Sequence, residues 1–168
     1  MTRFVGLGDA KRGFNSNRLG PGEYYVRLDS STYYPTETRG NMWKNTLTIL
    51  GVVAGDHHVG EEVNTFFREA AGRKTFLGNL KGFIAGVLGC NDEDVDDGAG
   101  DRVLDEDLLK GTVFYIKAVQ RVTKKTDEKT GEPITYMLYT WGKFMTGDEI
   151  RAAIGDEAVA QFFPAGLA

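Results

Sequence analysis

The sequence predicts a mainly β fold with helices: five strands, one helix between the third and fourth, and another helix near the C-terminal end. Three observations carry this prediction. Apolar and polar residues alternate in five separate stretches, the period of a half-buried strand. Residues 73–89 change to helical spacing, with Leu77, Leu80, Ile84, Val87 and Leu88 recurring every three or four positions. A second amphipathic helical pattern runs over residues 148–162.

Residues 1–22 are polar and glycine-rich, with Arg3, Lys11, Arg12 and Arg18 among five glycines. They read as a basic, irregular arm that ends at the Gly20-Pro21-Gly22 breaker. In residues 23–34, Tyr24, Val26 and Leu28 fall on one face, and Tyr25, Arg27 and Asp29 on the other. A loop at 35–41 leads to a second strand at 43–53, where Leu47 and Ile49 oppose Lys44, Thr46 and Thr48. Gly55-Asp56 makes the connection to a short third strand at 61–67.

On the helix at 73–89, Gly78, Gly82 and Gly86 sit four apart. Each costs about 1 kcal/mol relative to alanine. They predict either a ridge against which another backbone packs closely or a weak helix held by burial. An acidic loop at 91–101 and a short helical turn at 103–109 follow. The fourth strand starts at Gly111, with Phe114, Ile116 and Ala118 alternating with Tyr115, Lys117 and Val119. A charged hairpin loop at 123–133 joins it to the fifth strand at 134–144, which carries Tyr136, Tyr139 and Trp141. The last helix, at 148–162, stops before Pro164.

Three consecutive strands, a helix and two more strands is the order of an OB-fold, a five-stranded, partly open Greek-key barrel. The helix plugs one end of such a barrel. An α+β sandwich shares the same order. The expected plan is an arm at 1–22, an OB-fold domain at 23–145 with an acidic insertion at 91–110, and a C-terminal helix and tail at 146–168.

Composition narrows the class. At 168 residues the chain is long enough to bury one core. The formal charge of −4 excludes a uniformly basic nucleic-acid glue, and 10 Phe, 7 Tyr and 2 Trp exclude a disordered acidic protein. The single cysteine, Cys90, excludes an intrachain disulfide and a multi-cysteine zinc site. The longest apolar run, residues 83–90, is too short to span a bilayer, and residues 1–11 lack a signal core. A cytoplasmic protein without a membrane partner is expected. The charge is also segregated. Residues 91–110 carry nine acids against Arg102 and Lys110, a net −7, whereas residues 111–145 hold six bases and three acids. It is this local field that would guide a polyanion.

The runs Gly22-Glu23-Tyr24-Tyr25-Val26 and Trp43-Lys44-Asn45-Thr46-Leu47-Thr48-Ile49, with Phe76-Leu77-Gly78-Asn79-Leu80-Lys81-Gly82-Phe83 and Leu109-Lys110-Gly111-Thr112-Val113, resemble phage-encoded single-stranded-DNA-binding proteins of the OB-fold type. The resemblance covers residues 22–144. It implies coating and protection of single strands in phage DNA replication or recombination, in the host cytoplasm and without a cofactor. Implied partners are single-stranded DNA, further copies of the chain, and replication or recombination proteins. Many such proteins end in an acidic tail with a terminal aromatic. This chain ends Phe162-Phe163-Pro164-Ala165-Gly166-Leu167-Ala168, so tail-mediated recruitment is not expected.

Sequence-neutral binding of single strands needs cations for phosphates and rings for base stacking. The expected phosphate ligands are Arg27, Arg39, Lys44, Lys117 and Arg121, with Lys124 and Lys125 either contacting DNA or forming a solvated hairpin tip. The expected rings are Tyr25, Tyr33, Trp43, Tyr139 and Trp141. The acidic block 91–110 either repels nucleic acid away from the groove or competes for it.

No catalytic reading stands. Gly6-Leu7-Gly8 is only part of a dinucleotide fingerprint, and Gly72-Arg73-Lys74-Thr75 lacks the first glycine of a phosphate loop, since Phe67 stands there. A calcium loop starting at Asp92 would have Asp97 in place of glycine and Val103 in place of glutamate. His57 and His58 are adjacent in a turn and point apart. No metal and no enzyme activity are expected. The alternative of another class is a protein-interaction or structural module that uses the C-terminal helix and binds no nucleic acid.

Overall fold

The computed structural model describes residues 17–37, 40–69 and 73–167. The expected arm therefore lies outside the described residues up to position 16. The strands are β1 (Gly22–Pro35), β2 (Asn41–Gly55), β3 (Glu62–Arg68), β4 (Val113–Thr126) and β5 (Pro133–Trp141). They form one antiparallel sheet in the order β3-β2-β1-β4-β5. Helix α1 (Arg73–Leu88) follows β3, and a 3-10 turn (Asp92–Asp94) and α2 (Ala99–Asp105) precede β4. The expected mainly β, five-stranded architecture is present, but the strands form an open sheet and not a hydrogen-bonded barrel. The sheet is open, and β3 and β5 are its edges.

Alternation places Tyr24, Val26, Leu28, Leu47, Ile49, Phe114 and Ile116 on the face that meets α1 and α2, where all are buried. Phe76, Phe83, Ile84 and Val87 of α1 and Val103 of α2 complete this core. Of the three glycines on α1, only Gly86 meets a neighbour closely. A Cβ there would lie 2.7 Å from Trp141 Cβ and 2.9 Å from its carbonyl oxygen. Gly78 and Gly82 face open space. The close-packing ridge thus shrinks to one contact, where α1 meets the end of β5.

The expected single helix at 148–162 is two helices, α3 (Gly147–Ile154) and α4 (Asp156–Phe162), broken at Gly155 with φ 86. Thr146 caps α3 through a capping box with Glu149. Both helices lie over the opposite face of the sheet. Ile150 and Val159 are buried there with Leu50 and Val113, and Ile154, Phe162 and Phe163 pack around them. The sheet is therefore covered on one face by α1 and α2 and partly covered on the other by the end of the chain. No helix among the described residues is long and apolar enough to cross a membrane.

Candidate nucleic-acid interface

The described chain begins alongside β3. Leu19 N–H donates to Asn64 O at 2.9 Å and Asn64 N–H to Asn17 O at 2.8 Å, so Arg18 bridges Asn64 in parallel. This pairing lies on the edge of β3 that faces away from β2. It sets the Arg18 guanidinium 5.0 Å above the Phe66 ring, a cation–π contact. The other edge of the sheet comes near. Phe67 of β3 and Trp141 of β5 meet edge to face at 6.0 Å between ring centroids.

Between these edges lies a cleft of about 350 Å³, lined by Arg18, Phe66, Arg68, Gln120, Tyr136 and Tyr139 among others. Burial pushes the Tyr139 phenol up to about 12, against the opposing influence of Arg18. Arg121 pairs with Tyr136 across the β4–β5 ladder, and Lys44 pairs with Phe66 across β2–β3. Lys124 and Lys125 are exposed farther along β4. Among the described residues, Arg18, Lys44, Arg121, Lys124 and Lys125 make no ion pair. Two arginines, two tyrosines and a phenylalanine therefore converge on one seam, with further cations around it.

The other expected residues are placed differently. Trp43 is only 2% exposed and its Nε1–H donates to Asn45 Oδ1 at 2.8 Å, so it is a core ring with no face for a base. Trp141 packs among Phe83, Phe67, Phe114 and Tyr139, and its ring serves the core. Arg27 is tied down by the C-terminal segment. Its Nε–H donates to Asp29 Oδ1 at 2.8 Å, its Nη1–H to Phe162 O at 3.0 Å, and its guanidinium stands 5.7 Å from the Phe163 ring. A phosphate would have to displace these partners. Tyr25 is half-buried edge-on to Tyr115 at 6.0 Å, on the face that the C-terminal helices partly cover.

Tyr33 is exposed but belongs to a separate groove. It stacks on Phe76 at 5.8 Å and donates its hydroxyl proton to Glu69, which raises the Tyr33 pKa and lowers that of Glu69. Lys117 is exposed and lies in register with Glu23 of β1. Arg39 lies outside the described residues.

Sequence reasoning thus missed Arg18, Phe66, Arg68 and Tyr136. Tyr136 was within reach, because Ile134, Tyr136 and Leu138 alternate with the inward Met137 and Tyr139. Arg18 was not, because nothing in a glycine-rich arm signals that it will pair with β3.

His57 is a structural latch: Gly20 N–H donates to its Nε2 at 2.8 Å while Nδ1 meets Glu61. Among the described residues, no three His, Cys, Asp or Glu side chains are grouped to hold a metal. The chain matches no known protein family and no curated relative.

Proposed function

We propose that this protein binds single-stranded DNA without sequence preference, along the seam between β3 and the β4–β5 hairpin. Arg18, Arg68 and Arg121 neutralise phosphates, Tyr136 offers its exposed ring to the bases, and the half-buried Tyr139 lines the cleft beneath them. The observation that carries the reading is the seam itself: a cleft in which arginines and tyrosines from both sheet edges face the same space. The sheet is read as an OB-fold whose edges approach without pairing, and such folds bind oligonucleotides on the strand 2–3 face and with the loop between strands 4 and 5. Coating of strands in phage DNA replication or recombination is the setting that the resemblance implies, with no chemical step.

A protein-interaction module built on the C-terminal helices has less support, because Ile150 and Val159 are already engaged with the sheet. The test is photocrosslinking of an iodouridine-substituted single-stranded oligonucleotide, followed by peptide mapping. Crosslinks in the peptides holding Tyr136 and Tyr139 are expected. Crosslinks confined to α3, α4 or the acidic segment would overturn the placement.

A further inference from the structure

The turn between β2 and β3 holds residues 17–21 by a bond that depends on a single proton, and we propose that His57 is a pH-sensitive latch on this segment. Glu61 N–H donates to His58 O at 3.0 Å and closes the turn that leads into β3. The His57 ring, at the start of the turn, is largely buried. It meets the Tyr24 ring of β1 edge to face at 5.4 Å between centroids. The fully buried Tyr24 hydroxyl accepts from His57 N–H at 3.4 Å and donates to Pro21 O at 3.3 Å. The ring is thus fixed between β1 and the 17–21 segment.

Its partners dictate where its proton sits. A backbone N–H can only donate, so the 2.8 Å bond from Gly20 N–H requires a lone pair on His57 Nε2. Nδ1 meets the Glu61 carboxylate and carries the ring proton. The latched ring is therefore the neutral one. A second proton would make Nε2 a donor facing another donor, and the bond to Gly20 would be lost. Glu61 faces the ring from its own turn and would hold the resulting cation, and the Tyr24 phenol faces it from β1. Asp56 and His58 flank it in sequence. Arg18 of the latched segment reaches away, over the Phe66 ring, and α4 brings the apolar Phe162 against Gly60 of the turn.

Without the latch the segment keeps its two backbone bonds to Asn64, the bond from Asn17 Nδ2 to Glu62 O at 3.1 Å, and the buried Leu19. Acid therefore loosens the pairing with β3 and does not expel the segment. Arg18 lies between the two Asn64 bonds, so its hold over Phe66 loosens with them. Histidine changes charge between about pH 5 and 8, and the latch responds in that interval. The inference stands on these bonds and is independent of what the seam binds.

The test is amide hydrogen exchange by NMR from about pH 8 to about pH 5, without nucleic acid, each rate divided by its intrinsic value at that pH. In the unmodified protein, protection of the Leu19, Gly20 and Asn64 amides is expected to fall by about fivefold or more on acidification, the factor that one ordinary hydrogen bond contributes. Amides in the middle of β1 are expected to stay protected. The midpoint of the fall is expected to coincide with the titration of the His57 ring protons. His57→Gln offers an oxygen acceptor that takes no proton, and its protection is expected to be level with pH. His58→Gln is expected to behave as the unmodified protein. Level protection in the unmodified protein would overturn the proposal. So would an equal fall in His57→Gln, a midpoint that follows another group, or a fall abolished by His58→Gln. Because no DNA is present, none of these outcomes bears on the proposed DNA-binding site.

Discussion

A single methyl group separates the three glycines of α1. At Gly86 it would press on the Trp141 carbonyl, so Gly86→Ala is expected to destabilise the protein by about 1–3 kcal/mol through overpacking. At Gly78 and Gly82 it would meet nothing, and alanine there is expected to stabilise by up to about 1 kcal/mol each. Urea unfolding of the three variants checks the opposite signs. Trp43 and Tyr136 form a second contrast. Trp43→Ala removes a buried ring and its hydrogen bond to Asn45, and is expected to cost about 3–5 kcal/mol of stability. The affinity of the remaining folded protein for DNA is expected to stay unchanged. Tyr136→Ala is expected to do the reverse: little loss of stability, and binding weaker by about 1–3 kcal/mol with little dependence on base sequence. Fluorescence anisotropy with labelled homopolymers separates the two. Alternation along a strand told which residues share a face. It did not tell how deep each one sits, and so Trp43 read as a groove residue while the Asn45–Thr65 hydrogen bond beneath it was hidden.

At the scale of elements, all five strands and α1 were legible, because a face buried on a core imposes its period on the sequence. The C-terminal helix was legible only as one pattern. Gly155 interrupts it at φ 86, a conformation open to glycine that leaves the apolar spacing on either side intact. The place of α3 and α4 was not legible, and it changed the site most. Their packing engages Arg27, one of the expected phosphate ligands, and makes it a clasp. Arg27→Ala is expected to loosen α4, because it removes a charged donor from the Phe162 carbonyl and leaves Asp29 without its cation. Hydrogen exchange should quicken in α4 before the strands, and the loss of stability should be about 1.5–3 kcal/mol, the range for hydrogen bonds to charged groups. The approach of β3 to β5 was equally hidden, because the curvature of a sheet leaves no period in sequence.

At the scale of the whole molecule, two phenols set the alkaline limit. Tyr115, which donates its proton to Glu23 and is further raised by burial, and Tyr139, raised by burial, both reach about 12 from an ordinary 10.0. The unfolded chain loses these protons first. Stability is therefore expected to be level with respect to these groups below about pH 10 and to fall as pH rises toward 12. Tyr115→Phe should flatten part of that fall in alkaline urea titrations. Charge is likewise divided over the molecule, with the acidic 91–110 segment around α2 and Arg18 and Arg68 at the seam. The division leaves the seam locally positive in a chain of net charge −4, as the proposed binding of a polyanion requires. The most direct measurement is equilibrium binding of a labelled oligothymidylate at a series of salt concentrations, for the unmodified protein and for an Arg18→Ala/Arg121→Ala variant. The account predicts saturable binding at low salt that weakens steeply as salt rises, with a slope shallower by about 1.4 in the variant, at about 0.7 for each phosphate no longer neutralised. Absence of binding at low salt, or a variant whose affinity and salt slope match those of the unmodified protein, would contradict it.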